Sequence, residues 1–434
     1  MPADPVVPTV TVEDDPGGRT ARRLVGIVVL IALVPVLYLL ASPHNFFDLH
    51  IYMSAMRWWA EGNPLYDYVQ PDRVQGELYF TYPPFAALLL RPFAGLRLGA
   101  TVVIFTAFTL VAVLVTTWWL VTPVADRHRL SRWFAFGLAV PAVFAVESIR
   151  ETITFGQINM LLIVLILADL LIAVPRGSRW AGVGIGLATA LKLFPGIFIV
   201  YLLVSRRWRA AAVASATAAA ATLLAAAIAP GDSWRFWTHE LWATDRVGRT
   251  DYTGNQSLFG LLSRFFIPAE PNQLLWLGLV AIVAGYGLWR AARAARAGDE
   301  LAGLTLTGLI GALASPISWT HHVYWFIPAI VLLVDAGLRQ PAQGLPEQPL
   351  DQGRIEVGRE RRTPLLVLAA VVYVCIAYGV VSYYDWGVAA ERTNSPVEFI
   401  LRNMYVLLAL LLLFVLPIRR GIAPSPARAV PPPD

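Results

Sequence analysis

The stretch LVGIVVLIALVPVLYLLASPHNFFDLHIYMSAMRWWAEGNPLYDY, residues 24–68, decides the fold class. Its first part, 24–41, is an almost unbroken apolar run of the length that a membrane-spanning helix needs. Its second part places Asp48 among aromatic residues and ahead of a Trp-Trp pair. Apolar runs recur along the chain, of which 57% of residues are hydrophobic and 15% charged. We therefore expect an all-α, polytopic integral membrane protein.

The apolar runs and the basic residues together predict a topology of about twelve transmembrane helices. The expected spans lie near 24–41, 100–122, 133–146, 157–174, 180–192, 194–205, 208–229, 272–290, 301–314, 323–337, 364–383 and 400–418. Arginine-rich linkers alternate with linkers that carry few basic residues, and the arginine-rich side is cytoplasmic by the positive-inside rule. Spans 180–192 and 194–205 are too short to cross alone, so they are either tilted or a broken pair around a cavity.

This topology divides the chain into a membrane domain and two tails. We expect a disordered cytoplasmic N-terminus, 1–23, and a disordered cytoplasmic tail, 419–434. The membrane domain, 24–418, would contain an outer loop with interfacial helices at 42–99 and a cytoplasmic linker at 339–363. The first apolar run lacks a small-residue cleavage site, so we expect an uncleaved helix in a multi-pass protein of the cell membrane.

The position of Asp48 follows from helical spacing. Read as a helix, residues 47–61 place His50, Ser54, Arg57 and Glu61 on one polar stripe and Asp48 on the opposite side. A helix lying on the membrane surface turns that stripe to water, so Asp48 faces inward, where a carboxylate is costly without a partner or a task. The alternative is an end-of-helix role, in which Asn45 caps the helix and Asp48 favours its dipole.

Lys192, in GLATALKLFPG, is the only lysine of the chain and lies within an apolar run. An ammonium group is a compact charge that suits a phosphate. The alternative is a lysine that reaches the outer interface and binds nothing.

The motif SPISWTHHVYW carries His321 and His322 among aromatic residues. Adjacent helical side chains point in different directions, and no other His-rich or carboxylate spacing supports a metal. The single cysteine, Cys375, lies in an apolar run and offers no thiolate site. We therefore expect one histidine in a polar cavity, donating to an anion, with no metal and no cofactor; a structural histidine is the alternative.

These motifs, in this order, resemble the family-87 glycosyltransferases: FFDLHIYMSAMRWWAEGNPLYD, YPPF, GQINMLL, LKLFP, NQSLFG and SPISWTHHVYW. The resemblance covers most of residues 45–330. It implies a GT-C-type fold with surface helices on the periplasmic side, where the active site lies. It also implies inverting transfer of mannose from polyprenyl-phosphate mannose to a lipid-anchored mannoside of the phosphatidylinositol mannoside type, forming an α-1,2 linkage.

The resemblance also assigns roles to residues. Asp48 matches the family's catalytic aspartate, the general base for the acceptor hydroxyl, and Lys192 with His321 or His322 would meet the donor phosphate. The amides of GNQSLFG and FGQINMLL suit sugar hydroxyls, although they equally suit helix caps. The candidates for sugar or acceptor contacts are Tyr82, Glu147, Arg150, Asn255 and Gln256.

Two other functions remain open at this point. Related family members resemble arabinofuranosyltransferases that use decaprenyl-phosphate arabinose. A lipid-linked sugar flippase or transporter would also show twelve spans, but such proteins place their sites near the midplane between inverted repeats. The sequence shows no repeat between its halves, and its unusual polar residues crowd one surface. Partners would be lipid substrates and membrane lipids, and no nucleic acid.

Overall fold

The computed structural model describes residues 16–42, 44–72, 76–243, 246, 248–339, 362–384, 393 and 395–419, with side chains except those of 16–24 and 362. Nearly all regular structure in this part of the chain is helical. The α-helices are α1 (Pro16–Ala41), α2 (Phe47–Ala60), α3 (Pro84–Leu90), α4 (Leu98–Arg127), α5 (Arg132–Phe144), α6 (Glu147–Phe155), α7 (Asn159–Ala168), α8 (Val183–Leu191), α9 (Ile197–Val204), α10 (Trp208–Ile228), α11 (Pro230–Thr238), α12 (Leu258–Phe266), α13 (Gln273–Arg296), α14 (Glu300–Ala314), α15 (Phe326–Leu338), α16 (Arg362–Tyr378), α17 (Pro396–Arg402) and α18 (Met404–Val415). A short antiparallel hairpin, β1 (Val69–Asp72) and β2 (Gly76–Tyr79), pairs Val69 with Tyr79.

The helices fit an all-α membrane protein, but the predicted number of spans is not confirmed. Three of the described helices, α4, α10 and α13, are long and apolar enough to cross a membrane alone. The pairs α5–α6 and α17–α18 would each count as one span, bent by 64° and 75°, which gives at most five within the described residues. Most of the other predicted spans correspond to apolar helices of 10–17 residues, because glycine, proline and polar residues interrupt the runs.

The predicted broken pair is one of these interruptions. Gly182 (φ 108°) precedes α8 and packs directly on α10, since an added Cβ would meet the carbonyl oxygen of Ala210 at 2.2 Å. Asp169 accepts hydrogen bonds from the backbone N–H groups of Gly182 (3.0 Å) and Ile185 (2.8 Å), which satisfies the start of α8. The helix ends at Leu191, and Lys192 is extended before a new helical turn begins. The chain is therefore broken at its only lysine.

The short helices α2, α3, α6 and α11 form a layer near one end of α4 and α10. The indole Nε1 of Trp59 donates to Asp232 (2.9 Å), and the backbone N–H of Leu65 donates to the other oxygen of the same carboxylate (2.9 Å). Asp232 thus ties α2 and the following turn to α11. This layer contains much of the loop 42–99 that the sequence analysis placed outside the membrane.

The opposite end of α4 lies in a group of charges, of which Asp299, Asp335 and Arg419 are buried; we call it the Asp335 cluster: Arg127, His128, Asp299, Asp335 and Arg419. Asp335 accepts from Arg127 (3.0 and 3.1 Å) and from the ring Nε2 of His128 (2.9 Å). Arg419 donates to Asp335 (2.6 Å) and to Asp299 (2.5 and 2.9 Å). The cluster joins the ends of α4 and α15, the start of α14 and the segment after α18. The 30 residues of α4 span about 45 Å, so the cluster and the short-helix layer lie on opposite faces.

The predicted tails differ from the structure at their inner edges. Helix α1 begins at Pro16, eight positions before the predicted span at 24, and Arg419 is buried in the Asp335 cluster. Residues 1–15 and 420–434, and most of the predicted linker 339–363, lie outside the described residues.

Candidate active site

A left-handed turn sets the direction of α2 and so the position of Asp48. Phe46 has φ 46°, a conformation that aromatic residues rarely adopt, and its backbone N–H donates to the carbonyl oxygen of Thr154 on α6 (2.8 Å). Asp48 in the first turn of α2 points inward and is half-buried, whereas His50 is exposed. The carboxylate of Asp48 accepts from the side chain of Gln157 (2.6 Å), which an end-of-helix role does not require.

Gly156 places Gln157 against Asp48. It ends α6 in a left-handed conformation (φ 69°), and the N–H of Gln157 then closes the helix on the carbonyl of Thr152 (2.9 Å). A Cβ at this position would approach the Cβ of Leu49 on α2 to 2.6 Å. Glycine is therefore needed both for the turn and for the close approach of α2 that brings the amide to the carboxylate.

Lys192 points from the break between α8 and α9 into a set of polar side chains. Its Nζ lies 3.3 Å from the hydroxyl of Tyr82, 3.2 Å from the Oδ1 of Asn159 and 2.9 Å from the Nε2 of His322. The ammonium also lies 5.0 Å from the centre of the Tyr82 ring. The phenol oxygen and ring of Tyr82 and the amide oxygen of Asn159 hold the cation inside the protein, which a lysine that only reaches the interface would not need.

The two histidines lie on one helical turn, Thr320–His322, and their surroundings differ. The Nδ1 of His322 accepts from the backbone N–H of Trp319 (3.1 Å), and its Nε2 faces Lys192. His321 is buried, yet among the described residues neither ring nitrogen has a hydrogen-bond partner. Its Nδ1 lies 3.8 Å from the carboxylate of Glu151, which itself accepts from Thr320. The free ring is thus His321, while His322 is committed to protein contacts.

Two adjoining cavities meet at these residues. One, of about 210 Å³, is lined by the polar side chains of Asp48 and Gln157 together with aromatic and aliphatic residues; we call it the polar cavity after those two groups. The other, of about 290 Å³, is lined mainly by side chains such as Met160, Ile163 and Phe194; we call it the apolar cavity. Residues that line both form a shared wall: Thr81, Tyr82, Lys192, Arg246, His321 and His322. The wall therefore carries cations and neutral donors between an apolar chamber and a carboxylate.

Burial shifts the pKa of side chains on the histidine turn, Thr320–His322, and on α2. Desolvation lowers the pKa of His321 to about 3, so its ring is neutral near pH 7 and carries one donor and one acceptor nitrogen. Desolvation also raises the pKa of Asp48, while His321, the hydrogen bond from Gln157 and the charge of Lys192 act in the opposite direction. A carboxylate with a raised pKa is a stronger base than a free aspartate, and these three partners favour its ionised form.

Asn255 and Gln256 lie outside both cavities. Asn255 donates to the carbonyl oxygens of Thr250 (2.9 Å) and Pro316 (3.1 Å) and accepts from the N–H of Ser318 (2.9 Å). The side-chain nitrogen of Gln256 donates to the carbonyl oxygen of Thr253, in the loop before α12 (2.6 Å), and to that of Arg402 (2.7 Å). The structure uses both amides to hold the segment that leads to the histidine turn, and their contact with sugar or acceptor stays a prediction.

Glu147 and Arg150 are also placed away from the cavities. Glu147 is buried and accepts from the hydroxyl groups of Ser382 and Tyr405. Arg150 donates to the carbonyl oxygen of Ala377 (2.5 Å). Both side chains fasten α6 to the C-terminal helices, and their predicted role in substrate binding remains untested.

The structure adds two site residues that the sequence analysis did not assign. Gln157 was noted only as part of FGQINMLL, with an amide that suits a cap as well as a sugar. Arg246 lines both cavities; its Nε pairs with Glu240 (2.8 Å), and its guanidinium lies 4.1 Å from the Tyr79 ring centre. The Gly-Gln step after a helix was a usable signal for Gln157, whereas Arg246 is one arginine among many in the sequence.

The helical membrane fold and a carboxylate facing a cationic wall beside an apolar chamber fit one class of protein, a membrane glycosyltransferase. The chain belongs to glycosyltransferase family 87, whose family model matches residues 80–316. No solved structure matches the chain.

Curated relatives narrow the class further. The chain is 36% identical, over 68% of its length and 71% of the relative, to the polyprenol-phosphate-mannose-dependent α-(1-2)-phosphatidylinositol mannoside mannosyltransferase of Mycobacterium tuberculosis. It is 31% identical, over 76% of its length and 80% of the relative, to the corresponding pentamannoside mannosyltransferase of Mycolicibacterium smegmatis. An α-(1->3)-arabinofuranosyltransferase of M. tuberculosis is 32% identical over 57% of this chain and 55% of its own.

Proposed function

We propose that this protein transfers mannose from polyprenyl-phosphate mannose to a phosphatidylinositol mannoside and forms an α-1,2 linkage. The observation that carries the proposal is the shared wall, which places cationic and neutral donors between an apolar chamber and Asp48. Relatives named for this reaction match two thirds or more of the chain, while the arabinofuranosyltransferases match less of it.

The donor would span the two cavities. Its isoprenoid chain suits the apolar cavity, and its mannose suits the polar one. Its phosphate would then lie at the shared wall, where Lys192 supplies the charge and His321 has a free neutral ring. The Nδ1 of His322 accepts a hydrogen bond from the backbone N–H of Trp319, so the neutral ring carries its proton at Nε2, beside Lys192. The ammonium of Lys192 and the Nε2–H of His322 both donate, so an anion such as the donor phosphate beside them would stabilise both.

The reaction is a direct displacement at the anomeric carbon. The acceptor hydroxyl gives its proton to Asp48 as its oxygen bonds to that carbon, and the bond from carbon to phosphate oxygen breaks. Polyprenyl phosphate leaves, and a β-linked donor yields an α-linked product. Lys192 and a His321 N–H stabilise the negative charge on the leaving phosphate. No step in this scheme requires a metal ion.

We place the reaction on the outer face of the plasma membrane. Three arginines from arginine-rich linkers, Arg127, Arg339 and Arg419, lie within 4.0 Å of the one carboxylate of Asp335. Under the positive-inside rule this face is cytoplasmic, so the short-helix layer that holds Asp48 is external. Donor and acceptor would then enter the site sideways from the outer leaflet.

The direct test is transfer by the purified protein in lipid vesicles. Supplied with polyprenyl-phosphate mannose and a phosphatidylinositol mannoside, the protein should add mannose in an α-1,2 linkage, identified by linkage analysis of the product. A parallel reaction with decaprenyl-phosphate arabinose should give no product. Transfer of arabinose without transfer of mannose would contradict the proposal.

A further inference from the structure

A chain of hydrogen bonds leads away from the carboxylate of Asp48, and chemistry fixes its direction. An ionised carboxylate only accepts hydrogen bonds, so the atom of Gln157 that lies 2.6 Å from the Oδ2 of Asp48 is the amide nitrogen. The amide oxygen of Gln157 therefore faces the other way, toward Tyr82, and it must accept. Gln157 is 5% exposed and cannot satisfy this oxygen with bulk water.

The next member of the chain is Tyr82, whose hydroxyl has one proton to give. That proton goes to the Oε1 of Gln157 (3.0 Å). The phenol oxygen then accepts from the hydroxyl of Tyr52 (2.7 Å) and from the ammonium of Lys192 (3.3 Å). All bonds thus point one way, from Lys192 and Tyr52 through Tyr82 and Gln157 to Asp48.

At the Asp48 end of this chain of hydrogen bonds, the two carboxylate oxygens differ. Oδ2 is committed to Gln157, whereas no donor among the described residues reaches Oδ1. Asp48 lines the polar cavity, so Oδ1 is the oxygen that can take the acceptor proton. When it does so, Oδ2 still accepts from Gln157 and the chain keeps its direction. No proton needs to pass through Gln157 at any step.

We propose that Gln157 and Tyr82 are positioning residues for Asp48. They hold its carboxylate with Oδ1 toward the acceptor, keep it ionised, and link it to the lysine that meets the donor phosphate. This inference rests on the proposed function of Asp48 and assigns Tyr82's hydroxyl to the protein's own chain of hydrogen bonds rather than to the sugar.

Asp48 has several titratable neighbours, and the test must separate Gln157 from them. They lie on α2, on α6, after β2, after α8, on the histidine turn and between α11 and α12: Tyr52, Glu151, Tyr82, Lys192, His321 and Arg246. Gln157 is uncharged, so a variant that stays uncharged changes one hydrogen bond to the carboxylate and no charge. Loss of a hydrogen bond to the ionised form raises a carboxyl pKa further.

The experiment compares Gln157→Met, Tyr82→Phe and wild type across pH in the vesicle assay. Gln157→Met should lower kcat by about tenfold to a hundredfold and move the acid limb of the kcat profile up by about one pH unit, because it removes a hydrogen bond to a charged group. Tyr82→Phe should move the limb in the same direction by less, since the bond from Gln157 to Asp48 remains. Gln157→Asn, with a shorter amide, should not restore the wild-type limb.

Tyr373→Phe is the matched control, because Tyr373 is a buried tyrosine whose hydroxyl donates only to the carbonyl of Ala142 on α5 (3.2 Å). It should leave the profile unchanged. If wild type transfers mannose and Gln157→Met lowers kcat with the acid limb unmoved, Gln157 is merely structural and the inference is overturned.

Infrared titration keeps this inference separate from the proposed function. The carboxyl band of Asp48 is isolated by subtracting the spectrum of the matching Asp48→Asn protein, with no substrate present. Its midpoint should lie at a higher pH in Gln157→Met than in wild type. An equal midpoint overturns the inference whether or not mannose transfer is observed, while a shifted midpoint with no transfer by wild type would contradict the proposed function alone.

Discussion

The two faces joined by α4 hold charge in opposite ways. In the Asp335 cluster, Asp335 accepts from Arg127, His128 and Arg419, and its side chain has no exposed surface. On the other face, Asp48 accepts one hydrogen bond and opens on a cavity. A fully paired charge has nothing left to offer a substrate, so it can only hold the fold. A charge with a free oxygen is costly to the fold and available for chemistry.

The histidines repeat this contrast within one turn of chain. His322 accepts a hydrogen bond at Nδ1 and faces Lys192 with Nε2, whereas His321 has a hydrogen-bond partner at neither ring nitrogen among the described residues. Burial of an unpaired imidazole lowers stability unless something else compensates. The comparison therefore assigns substrate contact to His321, while the bond from Trp319 fixes the ring of His322 beside Lys192.

The largest expected change in stability comes from breaking the paired face. Asp335→Asn removes the carboxylate that Arg127 and Arg419 share and leaves buried positive charge, so the free energy of unfolding should fall by about 3 kcal/mol or more. Thermal unfolding in detergent measures it, and Asp126→Asn, which breaks the exposed pair with Arg132, is the matched control and should cause little loss. Protein that remains folded should keep its turnover. Normal stability in Asp335→Asn would remove the contrast between the faces.

A somewhat smaller effect is expected from Lys192 on the open face. Lys192→Ala should lower turnover by about a hundredfold and weaken donor use, because the leaving phosphate loses its cation. Lys192→Arg should restore only part of the turnover, since a guanidinium is larger than an ammonium and planar. The control is Arg179→Ala, which removes a cation that lies over the ring of Trp180, before the start of α8, whereas Lys192 follows its end. Unchanged donor affinity and turnover in Lys192→Ala would make this lysine an interfacial anchor.

The smallest expected effect is that of chelation. Mannose transfer should continue in EDTA, because Lys192 and His321 meet the phosphate charge and the described residues contain no group of three metal-ligating side chains. The assay is repeated after dialysis against EDTA, with and without added Mg²⁺ or Mn²⁺. If chelation abolishes turnover and a divalent ion restores it, Lys192 and His321 do not stabilise the leaving phosphate on their own, and this account is contradicted.

Local spacing predicted one part of the site. The direction of Asp48 follows from the stripe of His50, Arg57 and Glu61 on the same helix, because helical geometry ties these positions together. A break near Lys192 could also be expected, because Pro195 lies three residues further on and proline interrupts a helix.

The parts of the site that the sequence did not predict depend on contacts between distant segments. Gln157 reaches Asp48 only because Gly156 lets α2 approach α6, and a single sequence does not show that approach. Asn255 and Glu147 carry the residue types expected of a sugar site, yet backbone and hydroxyl groups from other helices occupy them. The number of spans does not follow from the sequence for a related reason. The length of an apolar run does not distinguish a helix that crosses the membrane from a shorter helix packed inside the protein.

The central claim, that Asp48 is the base and not a helix cap, is tested most directly by one protein, Asp48→Asn. The amide keeps the size of the side chain but cannot take the acceptor proton, so mannose transfer should fall by about two or more orders of magnitude while thermal stability stays near that of wild type. Both quantities are measured on the same preparation. An Asp48→Asn protein that transfers mannose at a near-normal rate and unfolds at a lower temperature would contradict the account.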